Sequence, residues 1–189
     1  MLTTIPPQRL LDVFGITGVV YFAIPQESGL RQETAGFLSS TGLPTSKWFT
    51  PEDDLEERES ISRTPGLLEY FEDEGSEAPA GCESWEILGR LLHWTIFIDP
   101  ESGKVYEIPE GDDVITEIHA DVTSLVHSLI VLQEGEREFK GISDPDYTVH
   151  ADIVERMKSE ILRIDGTPFS GAESCWNRLF EEISLGMWG

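Results

Sequence analysis

The sequence predicts an α+β fold in which a central antiparallel sheet is flanked by N-terminal and C-terminal helices. Three observations lead to this prediction. Four short segments rich in β-branched and aromatic residues follow one another between residues 85 and 118. The links between them are too short for crossover helices, which is typical of an antiparallel meander. Segments with a helical spacing of apolar residues come before and after this block.

The N-terminal part of the chain is predicted to contain two helices, a strand and an extended segment. The helices show apolar residues at helical spacing, whereas the strand is a continuous β-branched and aromatic run. The first helix starts at Pro6 or Pro7 and ends before Gly15, the strand spans 18–24 and the second helix spans 30–40. Gly42, Leu43 and Pro44 stop the second helix, and Trp48 and Phe49 begin the extended segment.

The centre of the chain carries the clearest pattern. The predicted strands span 85–89, 95–99, 104–108 and 113–118. Asp99, Pro100 and Gly103 lie between the second and third of these strands. Proline fixes φ early in a hairpin connection and glycine accepts a positive φ late in it. These residues therefore predict a tight hairpin.

Three helices are predicted after the meander. They span 121–132, 145–164 with Gly166 closing it, and a last segment that begins near Ser170 or Ala172 and carries Trp176. No internal repeat or long linker interrupts the chain. A length of 189 residues agrees with one domain over residues 1–189.

Charge is the strongest compositional signal. The chain has 36 aspartates and glutamates against 13 lysines and arginines, a formal net charge of −23. Such a surface repels nucleic-acid phosphates and anionic lipid heads, so neither DNA, RNA nor a membrane is expected as a direct partner. It favours a basic protein partner, although charge can also serve solubility alone.

The cysteines and the N-terminus indicate the compartment. Cys82 and Cys175 are far apart and belong to no metal-binding or redox motif. No secretory signal pattern opens the chain, and no apolar run is long enough to span a bilayer. We therefore expect a cytoplasmic protein. Its oligomeric state stays open, with a monomer favoured.

The motifs of common catalytic and metal sites are missing. The four histidines are scattered, and no zinc spacing, nucleophile elbow or phosphate-binding glycine loop occurs. We expect no catalytic residue, no metal and no cofactor. A hydrolase with paired carboxylates stays open, because so many acids allow chance pairs.

Residues 51–80 stand out as a candidate protein interface. They hold eleven acids against two arginines, with aromatic residues nearby. Aromatic anchors surrounded by charged residues are typical of protein interfaces. The alternative interpretation of this segment is a solvated acidic loop whose aromatic residues lie in the core. The predicted contact residues are Trp48, Phe49, Glu52, Asp53, Asp54, Glu56, Glu57, Glu59, Glu72, Asp73 and Glu74.

Several short motifs, taken together, resemble the SUKH superfamily and its fourth subgroup in particular. The family pattern has a Leu-Gly strand, an I-x-I-D-P-x-x-G-x-V hairpin, a polar turn that opens an apolar helix, and a closing tryptophan helix. The matching residues here are Gly42-Leu43-Pro44, Leu88-Gly89, Ile96 to Pro100, Gly103 to Tyr106, Asp121 to Leu125, and Ser174-Cys175-Trp176.

The resemblance implies both a fold and a function. SUKH proteins are scaffolds whose variable surface neutralises a cognate bacterial toxin, frequently a nuclease or deaminase. A non-enzymatic immunity protein that occludes a basic toxin's active site is thus the expected function, and the acidic surface agrees with it. The alternative is a regulatory adaptor of the same fold that binds a host signalling or cell-wall enzyme.

Overall fold

The computed structural model describes residues 4–22, 24, 29–52, 71–72, 75, 81–82, 84–108, 115–140 and 147–187. Five helices accompany two antiparallel sheets in the described residues, which confirms the predicted α+β class. The elements in chain order are α1 Pro7–Phe14, β1 Val19–Val20, α2 Gln32–Ser40, β2 Leu43–Pro44, β3 Phe49–Pro51, β4 Glu86–Leu91, β5 Trp94–Ile98, β6 Val105–Ile108, β7 Thr116–His119, α3 Val122–Lys140, α4 Tyr147–Ile164, a 3-10 turn Thr167–Phe169 and α5 Cys175–Ser184.

The main sheet is a five-stranded meander in the order β3-β4-β5-β6-β7, with every pair antiparallel. The four predicted central strands are all present as β4 to β7. Strands β3 and β7 are the two edges, and the 3-10 turn after α4 lies against β7. A separate two-stranded sheet pairs β1 with β2.

The turn between β5 and β6 shows why the predicted hairpin residues are needed. The Asp99 carboxylate accepts hydrogen bonds from the Glu101 backbone N–H at 2.9 Å and the Ser102 hydroxyl at 2.5 Å. The Gly103 N–H donates to the Asp99 carbonyl at 2.8 Å, and Gly103 has φ 75°. A residue with a Cβ would be strained at that φ, so the turn selects glycine there.

A bulge in β4 depends on a second glycine. Gly89 has φ 152°, and the register of β4 against β5 shifts between Ile87 and Gly89. A Cβ at Gly89 would lie 2.3 Å from the carbonyl oxygen of Thr50 on β3. The close approach of β3 to β4 therefore requires the absence of a side chain at this position.

The two faces of the main sheet have different coverings. Side chains alternate between the faces along each strand, so Ile96 and Ile98 join the core under the helices while Phe97 turns to the opposite side. Helix α3 fills the first side with residues such as Leu125 and Leu129, both fully buried. Burying a leucine contributes about 1.5–3 kcal/mol.

Three predicted boundaries need correction. The strand expected over 18–24 shrinks to Val19–Val20, because the Phe22 N–H donates to the Leu38 carbonyl of α2 at 3.1 Å instead of joining a sheet. Helix α3 continues eight residues past the expected end at 132, where Gly135 lets Met157 of α4 approach closely. The last helix begins only at Cys175, since Ser174 caps it by accepting the Asn177 N–H at 3.2 Å.

Candidate protein-binding surface

We define the outer face as the side of the main sheet that carries Ile87, Phe97 and Ile108. These residues form a second apolar cluster with Phe71 and Cys82, separate from the core under the helices. Between Glu52 after β3 and Ser84 before β4, the chain is therefore held on this face at Phe71 and Cys82. This is the same stretch that holds the acidic block of the sequence.

The predicted contact residues divide into three groups. Asp53, Asp54, Glu56, Glu57, Glu59, Asp73 and Glu74 lie outside the described residues. Glu52 and Glu72 are described and reach solvent, Glu72 next to the buried Phe71. Trp48 and Phe49 are only 2% and 1% exposed and lie in the main core, so a partner cannot reach their rings while the fold stays closed.

Glu52 lies next to β3, the edge strand of the main sheet. Its backbone N–H donates to the Leu88 carbonyl at 3.1 Å, which extends the pairing of β3 with β4 by one residue. Its carboxylate lies 4.0 Å from the Arg90 guanidinium, and both side chains are solvent-exposed. The acidic block thus begins directly at the edge strand of the sheet.

An aromatic pair on the outer face was missed by the sequence prediction. The rings of Trp85 and Tyr106 stack at 4.3 Å between centroids, and both residues are half-buried. Beside them the Lys104 ammonium meets the Glu117 carboxylate at 2.7 Å. The alternation of Tyr106 with the buried Val105 and Glu107 was the available signal, because it places Tyr106 on the face opposite theirs.

Ion pairs remove most of the positive charge from the described surface. Eight lysines and arginines each lie within 4.0 Å of a carboxylate. They are Arg9, Arg31, Lys47, Arg90, Lys104, Lys140, Arg156 and Arg178. With its cations neutralised at close range, the chain presents a negative field to an approaching protein.

A serine, a histidine and an aspartate meet in the interior, and their geometry does not match a catalytic triad. The Ser124 hydroxyl lies 3.3 Å and the Asp165 carboxylate 3.5 Å from the same ring nitrogen, Nδ1 of His119. A triad needs the nucleophile on one ring nitrogen and the acid on the other. His119 is fully buried, and the burial lowers its pKa. The cluster ties β7 to the segment that follows α4.

The second buried polar pair is equally unsuited to catalysis. Both carboxylate oxygens of Glu107 accept the Cys175 backbone N–H, at 2.9 and 3.0 Å. Burial and the facing Glu107 carboxylate raise the pKa of the Cys175 thiol well above its usual value. A reactive cysteine needs a lowered pKa, so Cys175 is a structural thiol. In the described residues, no group of three or more potential ligands could hold a metal ion.

The residues of the family-like motifs lie in structural positions. Gly42, Gly89 and Gly103 occupy positive-φ positions, Asp99 closes a turn, and Trp176 is fully buried. Leu43 and Pro44 form strand β2, and Pro100 accepts the Arg31 N–H in the turn after β5. None of them joins a catalytic group among the described residues, so these motifs define a scaffold.

A half-buried aromatic pair together with exposed carboxylates has the composition of a protein-binding surface. A family model described as SUKH-4 immunity protein matches residues 5–182. The chain therefore belongs to the SUKH-4 immunity protein family, as the sequence motifs predicted. No curated protein and no solved structure gives a significant match. Membership suggests a role in immunity to a toxin, and the family is typically non-enzymatic.

None of the helices in the described segments combines the length with the apolar composition that crossing a membrane requires.

Proposed function

We propose that the chain is an immunity protein that binds a cognate protein toxin and occludes its active site. The observation that carries this proposal is the family match over residues 5–182, which describes an immunity protein. The toxin that we infer is basic, because a net charge of −23 attracts a basic surface. The resemblance to SUKH proteins implies that it is a nuclease or deaminase domain. We infer that a monomeric single domain over residues 1–189 acts in the cytoplasm.

The contact surface of this proposal is the outer face of the sheet together with the acidic residues of 51–80. Described points of the acidic stretch pack on this face, since Phe71 and Cys82 share its apolar cluster. The stacked Trp85 and Tyr106 supply a half-buried aromatic anchor on the same face. Of the predicted contact residues, the proposal retains the acidic ones, while Trp48 and Phe49 support the sheet from within.

The roles of charge and aromatic rings in binding differ. Long-range attraction between the acidic surface and a basic toxin raises the association rate and weakens with added salt. The aromatic pair contributes short-range burial and therefore slows dissociation. A nuclease whose active site binds phosphates would accept a carboxylate-rich surface in their place, which blocks its substrate.

The first test is affinity capture of partners at low salt, followed by elution in salt steps and mass spectrometry. The expected result is one basic protein that elutes steeply with salt and whose nuclease or deaminase activity the chain abolishes. Recovery of only host signalling or cell-wall enzymes would favour an adaptor of the same fold. Activity of the purified chain on esters, phosphoesters or glycosides would instead indicate a carboxylate-based hydrolase.

Variants of the chain then locate the contact. Glu52→Lys and Glu72→Lys should each lower the association rate by about threefold at low ionic strength, with little effect at high salt. Trp85→Ala should accelerate dissociation by about tenfold or more. The control is Glu155→Lys, an equal charge change at an exposed position of α4, beyond the core from the outer face. Equal effects of Glu155→Lys and Glu72→Lys would contradict the proposed surface.

A further inference from the structure

A cavity of about 560 Å³ opens between the N-terminal segment, α2, the hairpin after β5 and the first residues of α3. It shares no lining residue with the outer face of the sheet. Its volume falls in the range of about 300–1,000 Å³ that is usual for small-molecule sites. The toxin contact described above makes no use of it.

Three threonines with unused hydroxyl groups line this cavity. Thr34, Thr41 and Thr123 are 6%, 4% and 8% exposed. Across the described part of the chain, none of the three hydroxyls has a hydrogen-bond partner. Thr34 and Arg31 both lie close to Gly103 at one wall of the cavity. If Gly103 carried a Cβ, that atom would lie 3.4 Å from the Thr34 Oγ1 and 3.3 Å from the Arg31 Cδ. The hydroxyl oxygens of the three threonines are therefore open to the cavity, where a ligand can form hydrogen bonds with them.

The start of α3 adds hydrogen-bond donors to the same cavity. The Asp121 carboxylate accepts a hydrogen bond from the Ser124 N–H at 2.8 Å, and the Leu125 N–H donates to the Asp121 carbonyl at 3.3 Å. The N–H groups of Val122 and Thr123 precede these and have no acceptor among the described residues. The first N–H groups of a helix are free to bind a negatively charged group, and α3 is 19 residues long.

Charged side chains of both signs line the cavity. The Arg31 guanidinium donates to the Ser102 carbonyl at 2.7 Å and lies 3.7 Å from the Glu33 carboxylate, and Asp121 supplies a second carboxylate. A simple anion is repelled by the two carboxylates and by the net charge of the chain. A simple cation is attracted by the two carboxylates, but it leaves the Val122 and Thr123 N–H groups without an anionic partner. The lining is thus complementary to a ligand that carries both charges.

We propose that this cavity binds a free α-amino acid with an apolar side chain. Its carboxylate meets the N–H groups of Val122 and Thr123 and the Arg31 guanidinium, and its ammonium group meets Asp121. The threonine hydroxyls, which donate and accept, complete the polar contacts. Its side chain packs on the apolar part of the wall, formed by Ile5, Pro6 and Phe37.

The test uses the full chain and each of the twenty proteinogenic L-amino acids as probes. Binding is measured as a rise in the thermal midpoint and as amide chemical-shift changes in 15N-labelled protein. We expect an apolar amino acid to raise the midpoint and to shift the Val122 and Thr123 resonances. If none of the twenty does so at millimolar concentration, the proposal is overturned.

Charge and hydroxyl requirements are tested separately. For leucine as the ligand, the matched probes are isopentylamine, which lacks the carboxylate, and 4-methylpentanoate, which lacks the ammonium. Both should bind at least about tenfold more weakly than leucine, because each loses at least one hydrogen bond of a charged group. Equal binding of 4-methylpentanoate would refute the zwitterion. The affinity of a ligand with zero net charge should also change little with ionic strength.

Substitutions identify the hydroxyl contacts. Thr34→Val and Thr41→Val keep the shape and should weaken binding by about tenfold each, whereas Thr34→Ser retains the hydroxyl and should bind normally. The control is Thr95→Val, a buried threonine that does not line the cavity. Unchanged affinity in both valine variants would contradict the assigned site, whatever becomes of the toxin interaction.

Discussion

Replacement of Asp165 by asparagine tests the buried contact between the sheet and the C-terminal segment. Asp165 is only 9% exposed. Its carboxylate accepts the Ala120 N–H at 2.8 Å and the Thr167 N–H at 2.9 Å, and it lies 3.5 Å from His119 Nδ1. Asparagine keeps the size but offers one oxygen and turns an NH₂ group toward one of these donors.

The expected loss follows from these contacts. A hydrogen bond to an ionised group contributes about 1.5–3 kcal/mol, and a buried donor left without an acceptor costs about 1–3 kcal/mol. We therefore expect Asp165→Asn to lower the free energy of unfolding by about 3 kcal/mol, a large part of the roughly 5–15 kcal/mol of a typical domain. Urea unfolding near neutral pH, followed by tryptophan fluorescence, measures it.

Asp152→Asn is the matched control, because Asp152 lies exposed on α4. It should change the stability by no more than about 0.5 kcal/mol. The hydrogen bonds of Asp165 hold its pKa below the usual value, so its contribution is present above about pH 4 and declines as the pH falls further. The difference in the free energy of unfolding between wild type and Asp165→Asn should therefore narrow as the pH falls. Equal effects of the two substitutions would refute the reasoning.

Three further perturbations probe other buried groups. Burial lowers the pKa of His119, so below about pH 6.5 the unfolded chain binds a proton that the folded chain does not, and the free energy of unfolding should fall as the pH drops. His119→Gln should weaken this pH dependence, as measured by urea unfolding at several pH values. Burial raises the pKa of Glu107, so its charge costs stability at neutral pH. Glu107→Gln keeps an acceptor for Cys175 and should leave the urea midpoint unchanged or higher near neutrality; a clear loss there would contradict this. Gly89→Ala should lower the thermal stability by about 2 kcal/mol or more, since its Cβ meets the Thr50 carbonyl, and an unchanged melting midpoint would disprove the clash.

The parts of the fold that sequence patterns predict are the local ones. The hairpin after β5 was predictable because Asp99 and Gly103 meet their hydrogen-bond partners within a few residues. The central strands were predictable because their turn residues separate them at short intervals. The bounds of the last helix were less clear, since only the structure shows that Ser174 caps it.

The remaining features depend on contacts between distant parts of the chain. The strand after α1 is short because Phe22 bonds to Leu38 of α2, which no local pattern encodes. Trp48 is buried because the core surrounds it at the start of β3. From the sequence alone, a tryptophan beside an acidic segment suits a surface anchor equally well. The contact of His119 with Asp165 and the threonine-lined cavity likewise join residues that only tertiary packing brings together.

The two edges of the main sheet limit how a partner can bind. Strand β3 is three residues long and ends at Pro51, which has no N–H to offer, and β7 has the 3-10 turn beside it. Of the strands in the described segments, neither edge is thus suited to accept an added strand from a partner. A partner that binds the main sheet is then recognised by side chains and not by strand addition. Such a surface can acquire a new partner by exchanging side chains while the hydrogen-bonded framework beneath stays the same.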